Sequence, residues 1–518
     1  MPLSHILTVY VISVLIVFLP SFGLAKMFQK AGVEQWKAFI PFYNTWVMQT
    51  LAKRPRHWVF WQFIPVVGWF ISPGIFIEFV KLFGRFTLGE HILAALFAPF
   101  YFAYLGYSPK IHYIGPEGAK RYKKPGWREW VDAAVFAIVA ATLIRTFVFE
   151  AYTIPSGSME KTLLVNDFLF VSKFSYGPRI PNTPISIPFI HNYIPGTSLK
   201  SYTSIVELPY IRWFPAPVKR EDVVVFNFPA GDTVINLPDY QSLRPYYQVC
   251  REVGNGDVEK GRQIVLGNPD QYPLAIHPPD KSDNYIKRCM GVAGDTLQIK
   301  GAIVYINGKQ VPVPPKSEIK YIVETNSQQM DEDVMKNEYG IDINDQDQVV
   351  SRGKNTYEMQ LTSEAIDKLK ASGFIKNAHP ILDDPATTDP NFWGKVLFPF
   401  DTLHKWTADF FGPVWIPKKG GSVQLTAENY SIYERAIRVY EHNTLDYKNG
   451  QFQINGKQTN TYTFKMDYYW MMGDNRHESQ DSRYWGFVPE DRIVGKASLI
   501  WFSWNNGPRW NRLFRTVK

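Results

Sequence analysis

An apolar stretch from Ala133 to Phe149 constrains this chain most, because it ends close to a serine-bearing loop. Only Arg145 and the small polar Thr142 and Thr146 interrupt it. As a helix rising 1.5 Å per residue, it spans roughly 26 Å, just short of a bilayer core. Arg145 sits near one end, where a long side chain reaches the headgroups. The chain leaves this helix at Glu150-Ala151-Tyr152 and arrives at Pro155-Ser156-Gly157-Ser158-Met159. Pro155 forbids helix continuation, and Gly157 permits an unusual turn. A hydroxyl is thus delivered on a sharp loop at a membrane surface.

The remaining composition suits an anchored protein. At 518 residues the chain holds more than one domain. Its mean hydropathy of −0.20 is too polar for a transporter, so membrane helices plus a large soluble part fit better. The formal charge of +8 suits a surface lying on anionic lipid. Nucleic acid would suit it too, but no RNP-like, zinc-finger or helix-turn-helix signature supports that partner. Cys250 and Cys289 read as two unpaired, half-buried thiols, with a disulfide left open if the region is extracytoplasmic. The ten histidines form no HExxH and no CxxC occurs, so neither a metal nor a cofactor is expected.

Charge orders the apolar segments. Ile6 to Leu24 has spanning length, with Lys26 and Lys30 after it and no Lys or Arg before it, which places the N-terminus outside. Gln35 to Leu51, aromatic-rich and broken by Pro41, reads as interfacial. Lys53-Arg54-Pro55-Arg56-His57 marks the cytoplasmic side before a second span, 58–80, and a third comes at 88–107. Buried core helices are the alternative for these two. The next loop carries Lys110, Lys120, Arg121, Lys123, Lys124 and Arg128, again cytoplasmic in character. A last helix, 130–150, then runs outward, giving about four spans and both ends outside.

After Ser158 the sequence reads mostly as strand. Phe168–Phe174 and the β-branched run 222–227 are strands. Hairpins turn at Asn307-Gly308 and Asn455-Gly456. Between them lies a polar insert with two helices, Ser363–Ala371 capped by Thr362 and Ala427–Glu441 capped by Thr426. The acidic stretch Glu324–Gln348 reads as surface loop. The expected organisation is a membrane region (1–129), the last span (130–150), a catalytic β domain (151–310 and 464–518) and an inserted α+β lobe (311–463).

Four short pieces carry chemistry: Ile154–Met159; Arg220–Phe226; Tyr285-Ile286-Lys287-Arg288-Cys289-Met290-Gly291-Val292-Ala293-Gly294-Asp295; and Gly473-Asp474-Asn475-Arg476-His477-Glu478-Ser479-Gln480-Asp481-Ser482-Arg483-Tyr484-Trp485-Gly486. In this order, after a membrane helix, they resemble the type I signal peptidases, or leader peptidases. The resemblance covers Arg145–Phe226, Tyr285–Gly308 and Tyr468 onward. It leaves out the first 125 residues and most of the insert.

The residues impose the same chemistry independently. A serine hydroxyl needs a base at neutral pH. No GxSxG elbow exists and no histidine recurs near a motif, so a Ser-His-Asp triad has little support. A lysine serves only when neutral, which requires its pKa to fall by about 3 units from about 10.4, about 4 kcal/mol of differential solvation. Tyr285, Ile286, Met290 and Val292 supply apolar neighbours around Lys287 for that purpose. By resemblance, Ser158 is the nucleophile and Lys287 the general base. Ser158 N–H and the Ser156 hydroxyl would form the oxyanion hole, and Ser479 would orient the Lys287 amine. Asp481 and Arg483 would brace the loop, with Asp474, Arg476 and Arg288 as further supports.

The resemblance also implies the substrate: signal peptides of translocated preproteins, with small residues at −1 and −3. The peptide would add as a strand over pockets formed by Tyr152, Ile154, Leu163, Val225, Tyr285 and Ile286. The setting would be a bacterial inner membrane, multi-pass, with the catalytic domain on the periplasmic side, lipid around it and the translocation machinery nearby. Departures are His477-Glu478 for the family's more usual Asp-Asn, Glu221 for a common glycine, and Lys161 for a usual proline. Lys161, three residues past Ser158, is expected to help lower the Lys287 pKa. Rival readings are a repressor-type Ser/Lys autoprotease and a non-catalytic membrane scaffold that keeps a peptidase fold.

Overall fold

Uncharged aromatic-rich segments form helices in the first part of the chain, and β-branched or alternating segments form strands in the second. The computed structural model describes residues 3–64, 66–197, 199–229, 231, 233–237, 239–326, 330–389, 394–448 and 450–518. Part of the expected surface loop at 324–348, residues 327–329, lies outside this set. The chain divides into two compact units, Met1–Val148 with Pro178–Trp213, and Phe149–Gly177 with Phe214–Lys518.

Within the first unit, two of the described helices are long and apolar enough to cross a membrane, Leu7–Lys30 and Gly126–Phe147. The second has 22 residues, or roughly 33 Å. The segment expected to span at 58–80 is instead two helices, Trp58–Trp61 and Val67–Val80. Buried polar groups tie this region together. Thr45 donates to the Gln62 side chain (2.6 Å), which donates in turn to Ser72 (2.8 Å). Burying a Gln amide is tolerable only with such partners, and they hold the chain across the break. The expected third span is a pair, Leu88–Leu96 and Ala98–Tyr107, bent by 116°. Ala98–Tyr107 packs closely on Ser21–Lys30 because Gly23 lies against the backbone of Phe102 and Ala103, where any Cβ would collide at 2.2 Å.

Residues 178–213 differ from the sequence expectation, which assigns them to the catalytic domain. They pack with the helical unit, where Ile180, Leu208 and Ile211 share a buried cluster with Val9, Val66 and Phe147.

The second unit is built on an antiparallel sheet of eight strands. Its order is Phe149–Thr153, Asp167–Ser172, Ile493–Ser503, Val223–Asn227, Asn284–Gly291, Tyr468–Met472 and Val488–Pro489, with Arg515–Thr516 pairing onto Ile493–Ser503. Val223–Asn227 is buried throughout, as its β-branched run requires. Thr296–Lys300, Ile303–Ile306 and Lys309–Gln310 form a second sheet with Phe410–Trp415. The turn at Asn307-Gly308 has both residues left-handed, φ 52° and 78°, as does Asn455-Gly456.

Residues 311–463 divide between two cores. Phe411, Val414, Ile432, Tyr433 and Tyr462 pack with Leu297, Val304 and Trp470. Residues 318–380 close their own core around Val323, Met359, Leu361 and Leu369. This smaller body is a sheet of Val349–Gly353, Thr356–Thr362, Glu318–Thr325 and Ile375–Pro380, covered by helix Ser363–Ala371. Thr362 caps that helix, accepting from Ala365 N–H (3.2 Å). The other expected helix begins later, at Tyr430, because Thr426 and Asn429 satisfy each other in a turn first. Cys250 and Cys289 are buried and unpaired.

One departure from the family pattern now has a physical meaning. Glu221 is held left-handed at φ 70°, its N–H donating to the Cys289 carbonyl (2.7 Å). That backbone favours glycine. Glu221→Gly is expected to stabilise this unit by up to about 1 kcal/mol, less what the freer unfolded chain takes back. Denaturant unfolding of the solubilised protein measures it, and a loss of stability would contradict the strain.

Candidate active site

The loop carrying Ser158 is pinned at its base. Ile154 N–H donates to the Asp167 carbonyl and the Ile154 carbonyl accepts from Asn166, each at 2.9 Å. Below the loop, Ile154, Met159 and Leu163 bury against Leu169, Val223 and Ile500. These anchors leave Ser158 half-buried in one tight turn, Gly157–Met159. The unusual backbone expected at Gly157 falls on Lys161 instead, at φ 66°.

Lys287 lies in the strand Asn284–Gly291, opposite Val224. It is only 3% exposed, and its Nζ is 2.6 Å from Ser158 Oγ. Burial lowers its pKa to about 8. Asp481 and Asp474 oppose that shift and Arg483 assists it. Burial wins because both carboxylates are already paired. Arg483 forks onto Asp481 (2.9 and 2.7 Å), and Arg288 forks onto Asp474 (2.7 and 2.6 Å). All four side chains are buried. An ammonium at Lys287 therefore finds no free counter-charge in these two carboxylates.

The same pairs fix the neighbouring backbone. Asp481 accepts from Gly473 N–H (3.0 Å), and Thr162 donates to Asp474 (2.6 Å). Arg288 also donates to the Glu221 carbonyl (2.8 Å). Arg476 differs: it is buried and pairs with no carboxylate among the described residues, its Nη2 touching Met290 Sδ at 3.7 Å.

Comparison with known proteins decides what this arrangement belongs to. The family described as signal peptidase, peptidase S26, matches residues 127–360 and 419–504. The chain belongs to that family. It is a serine endopeptidase. A second family, of unknown function, matches residues 36–116. Similar proteins include Signal peptidase I of Buchnera aphidicola subsp. Acyrthosiphon pisum, 26% identical over 74% of this chain and 79% of the relative. Those of Haemophilus influenzae and Rickettsia massiliae are 25% and 24% identical over 74% of this chain, covering 75% and 84% of their own lengths.

Other residues of this peptidase fall into three groups. Ile154, Leu163 and Val225 are fully buried, whereas Tyr152, Tyr285 and Ile286 are half-buried. Tyr152, Val225 and Ile286 share one apolar cluster with Val171 and Val494. Tyr285 packs on Phe228 and Trp485, with the Lys287 amine 5.6 Å from its ring. Ser156 is exposed.

Two expectations are corrected. Lys161 does not act on Lys287: its amine turns away, donating to the Gly340 carbonyl (3.0 Å) and Gln348 Oε1 (2.9 Å). Ser479 does not bond the Lys287 amine here: its hydroxyl is buried and has no hydrogen-bond partner among the described residues. It is packed instead against Gly473, which also abuts the Ser158 carbonyl.

Gly473 makes this packing possible. A Cβ there would lie 2.2 Å from Ser479 Oγ and 2.5 Å from the Ser158 carbonyl oxygen. Gly473→Ala must push the Ser158 backbone aside, and misplacement of reacting groups by 1 Å costs about 100-fold. A loss of that order in peptide cleavage is expected, with circular dichroism unchanged. Retained activity would show that the loop tolerates displacement.

Proposed function

We propose that this protein removes N-terminal signal peptides from translocated preproteins through an acyl-enzyme on Ser158, with Lys287 as general base. The single observation that carries this reading is the buried amine 2.6 Å from the Ser158 hydroxyl. Neutral Lys287 takes the hydroxyl proton as Ser158 attacks the carbonyl carbon, and returns it to the departing amine. Water, deprotonated by the same amine, then hydrolyses the ester. Ser158 N–H and the exposed Ser156 hydroxyl receive the oxyanion. Asp474, Arg476, Asp481, Arg483 and Arg288 support the loop.

The substrate lies along the sheet as an added strand, over Tyr152, Ile154, Leu163, Val225, Tyr285 and Ile286. Small residues at −1 and −3 are the expected choice there, where Ile154, Leu163 and Val225 are themselves buried. Residues 151–177, 214–310 and 464–518 act as the catalytic domain, with 311–463 inserted. Leu7–Lys30 and Gly126–Phe147 cross the bacterial inner membrane, and the bent pair Leu88–Leu96 and Ala98–Tyr107 enters it without being counted as a crossing. With two crossings, the N-terminus and the catalytic domain share the periplasmic side. Lipid and the translocation machinery are the expected neighbours.

Purified protein in detergent should cut a peptide bearing an Ala-x-Ala site, and Ser158→Ala and Lys287→Met should each abolish cutting. Cleavage persisting in either variant overturns the dyad. Because the base works only when neutral, kcat/KM should rise with pH through about 8 and level off above it. At pH 7 only about a tenth of the enzyme would carry the neutral base. Lys161→Ala should leave that midpoint unmoved, since its amine faces Gly340 and Gln348. A shift towards higher pH would restore Lys161 as an influence on Lys287.

A further inference from the structure

The body formed by residues 318–380 reaches the Ser158 loop through a chain of hydrogen bonds. Asn475 holds that loop twice: its N–H donates to the Ser158 carbonyl and its Nδ2 to the Gly157 carbonyl, each at 3.2 Å. The Gly157 carbonyl belongs to the same planar peptide as Ser158 N–H, so fixing one fixes the direction of the other. Rotating the Asn475 amide by half a turn would bring Oδ1 against the Gly157 carbonyl, two acceptors face to face. The Asn475 amide therefore has to be held in one orientation.

Gln360 holds it. This side chain, 3% exposed in the strand Thr356–Thr362, donates from Nε2 to Asn475 Oδ1, which also accepts from Glu478 N–H (3.3 Å). The neighbouring strand brings Gln360 into place. Glu318 N–H donates to the Asp474 carbonyl (2.9 Å), and Arg476 N–H donates to the Glu318 carbonyl (3.0 Å). The residues that depart from the family pattern meet this body too: His477 Nδ1 accepts from Lys320 N–H (3.1 Å), and Glu478 pairs with the Lys320 amine. Beyond Ser158, Lys161 is tied to Gln348, whose carbonyl accepts from Gln360 N–H (2.9 Å). Both ends of the Ser158 turn thus answer to one small body.

We propose that Gln360 is a positioning residue for the oxyanion site, aiming Ser158 N–H through Asn475, and that residues 318–380 serve as a clamp on the nucleophile's loop. This rests on the signal-peptidase reading of Ser158. An oxyanion donor acts in the transition state and little in the ground state, so its misdirection lowers kcat and leaves KM in place.

The test uses the full chain in detergent with an Ala-x-Ala peptide, on Gln360→Ala, Gln360→Met, Asn475→Ala and the Gln360→Ala/Asn475→Ala pair. Gln360→Met keeps the volume should the smaller side chain unfold the body. Either Gln360 variant should lose about tenfold in kcat at constant KM and with the same pH midpoint. In the Asn475→Ala background the Gln360 change should add nothing, because the relay is already cut. Wild-type kcat in Gln360→Met, or the same tenfold loss with and without Asn475, overturns the proposal. Failure of the reading beneath it looks different: Ser158→Ala would then still cleave.

Discussion

A lysine amine kept out of water beside an alcohol is the interaction on which this molecule depends. Taking Lys287 from its ordinary pKa to about 8 corresponds to about 3 kcal/mol of lost stabilisation of the ammonium. Protein architecture must supply that by withholding solvent and counter-charge together. The strand Asn284–Gly291 supplies the first, since it lies between Val223–Asn227 and Tyr468–Met472 inside the main sheet. Arg288 and Arg483 supply the second by occupying Asp474 and Asp481. Such buried pairs add little net stability against apolar replacements, but losing one partner leaves a bare charge beside the amine. Their value here is electrostatic discipline at the site.

The alcohol needs equal care, because a tight turn is held by few bonds of its own. Ser158 sits over buried Met159 and Leu163, with its carbonyl against Gly473 and Asn475. The segment 473–476 therefore works as a seat for Ser158. It is itself held from behind by Asp481 and from the side by Glu318 and Gln360. A long insertion in a surface loop is thermodynamically cheap. One whose first strand hydrogen-bonds to this seat is a different matter, because its folding then bears on the chemistry.

Much of this was legible in the sequence, for identifiable reasons. The meeting of Ser158 with a buried Lys287 was legible because a neutral amine tolerates few surroundings, and the hairpins because Asn-Gly allows few alternatives. The capped helix at Ser363–Ala371 came from one threonine. Lys161 misled because nearness in sequence says nothing about where a long side chain turns. Gly157 misled similarly, since the positive φ moved four residues along. Residues 178–213 were misplaced because their apolar residues carry no sign of which partner buries them. The 58–80 break hinges on Gln62 finding Thr45 and Ser72, a tertiary fact. Gln360 gave no local signal at all; only the fold brings it to Asn475.

Direct titration of the Lys287 amine tests the central claim most plainly. With ε-13C-labelled lysine in the detergent-solubilised protein, and Lys287→Met to assign the resonance, the account predicts a midpoint near 8. A midpoint close to the ordinary lysine value of about 10.4 would mean that the amine stays charged beside Ser158 at neutral pH. The hydroxyl would then have no base, and the account would fail.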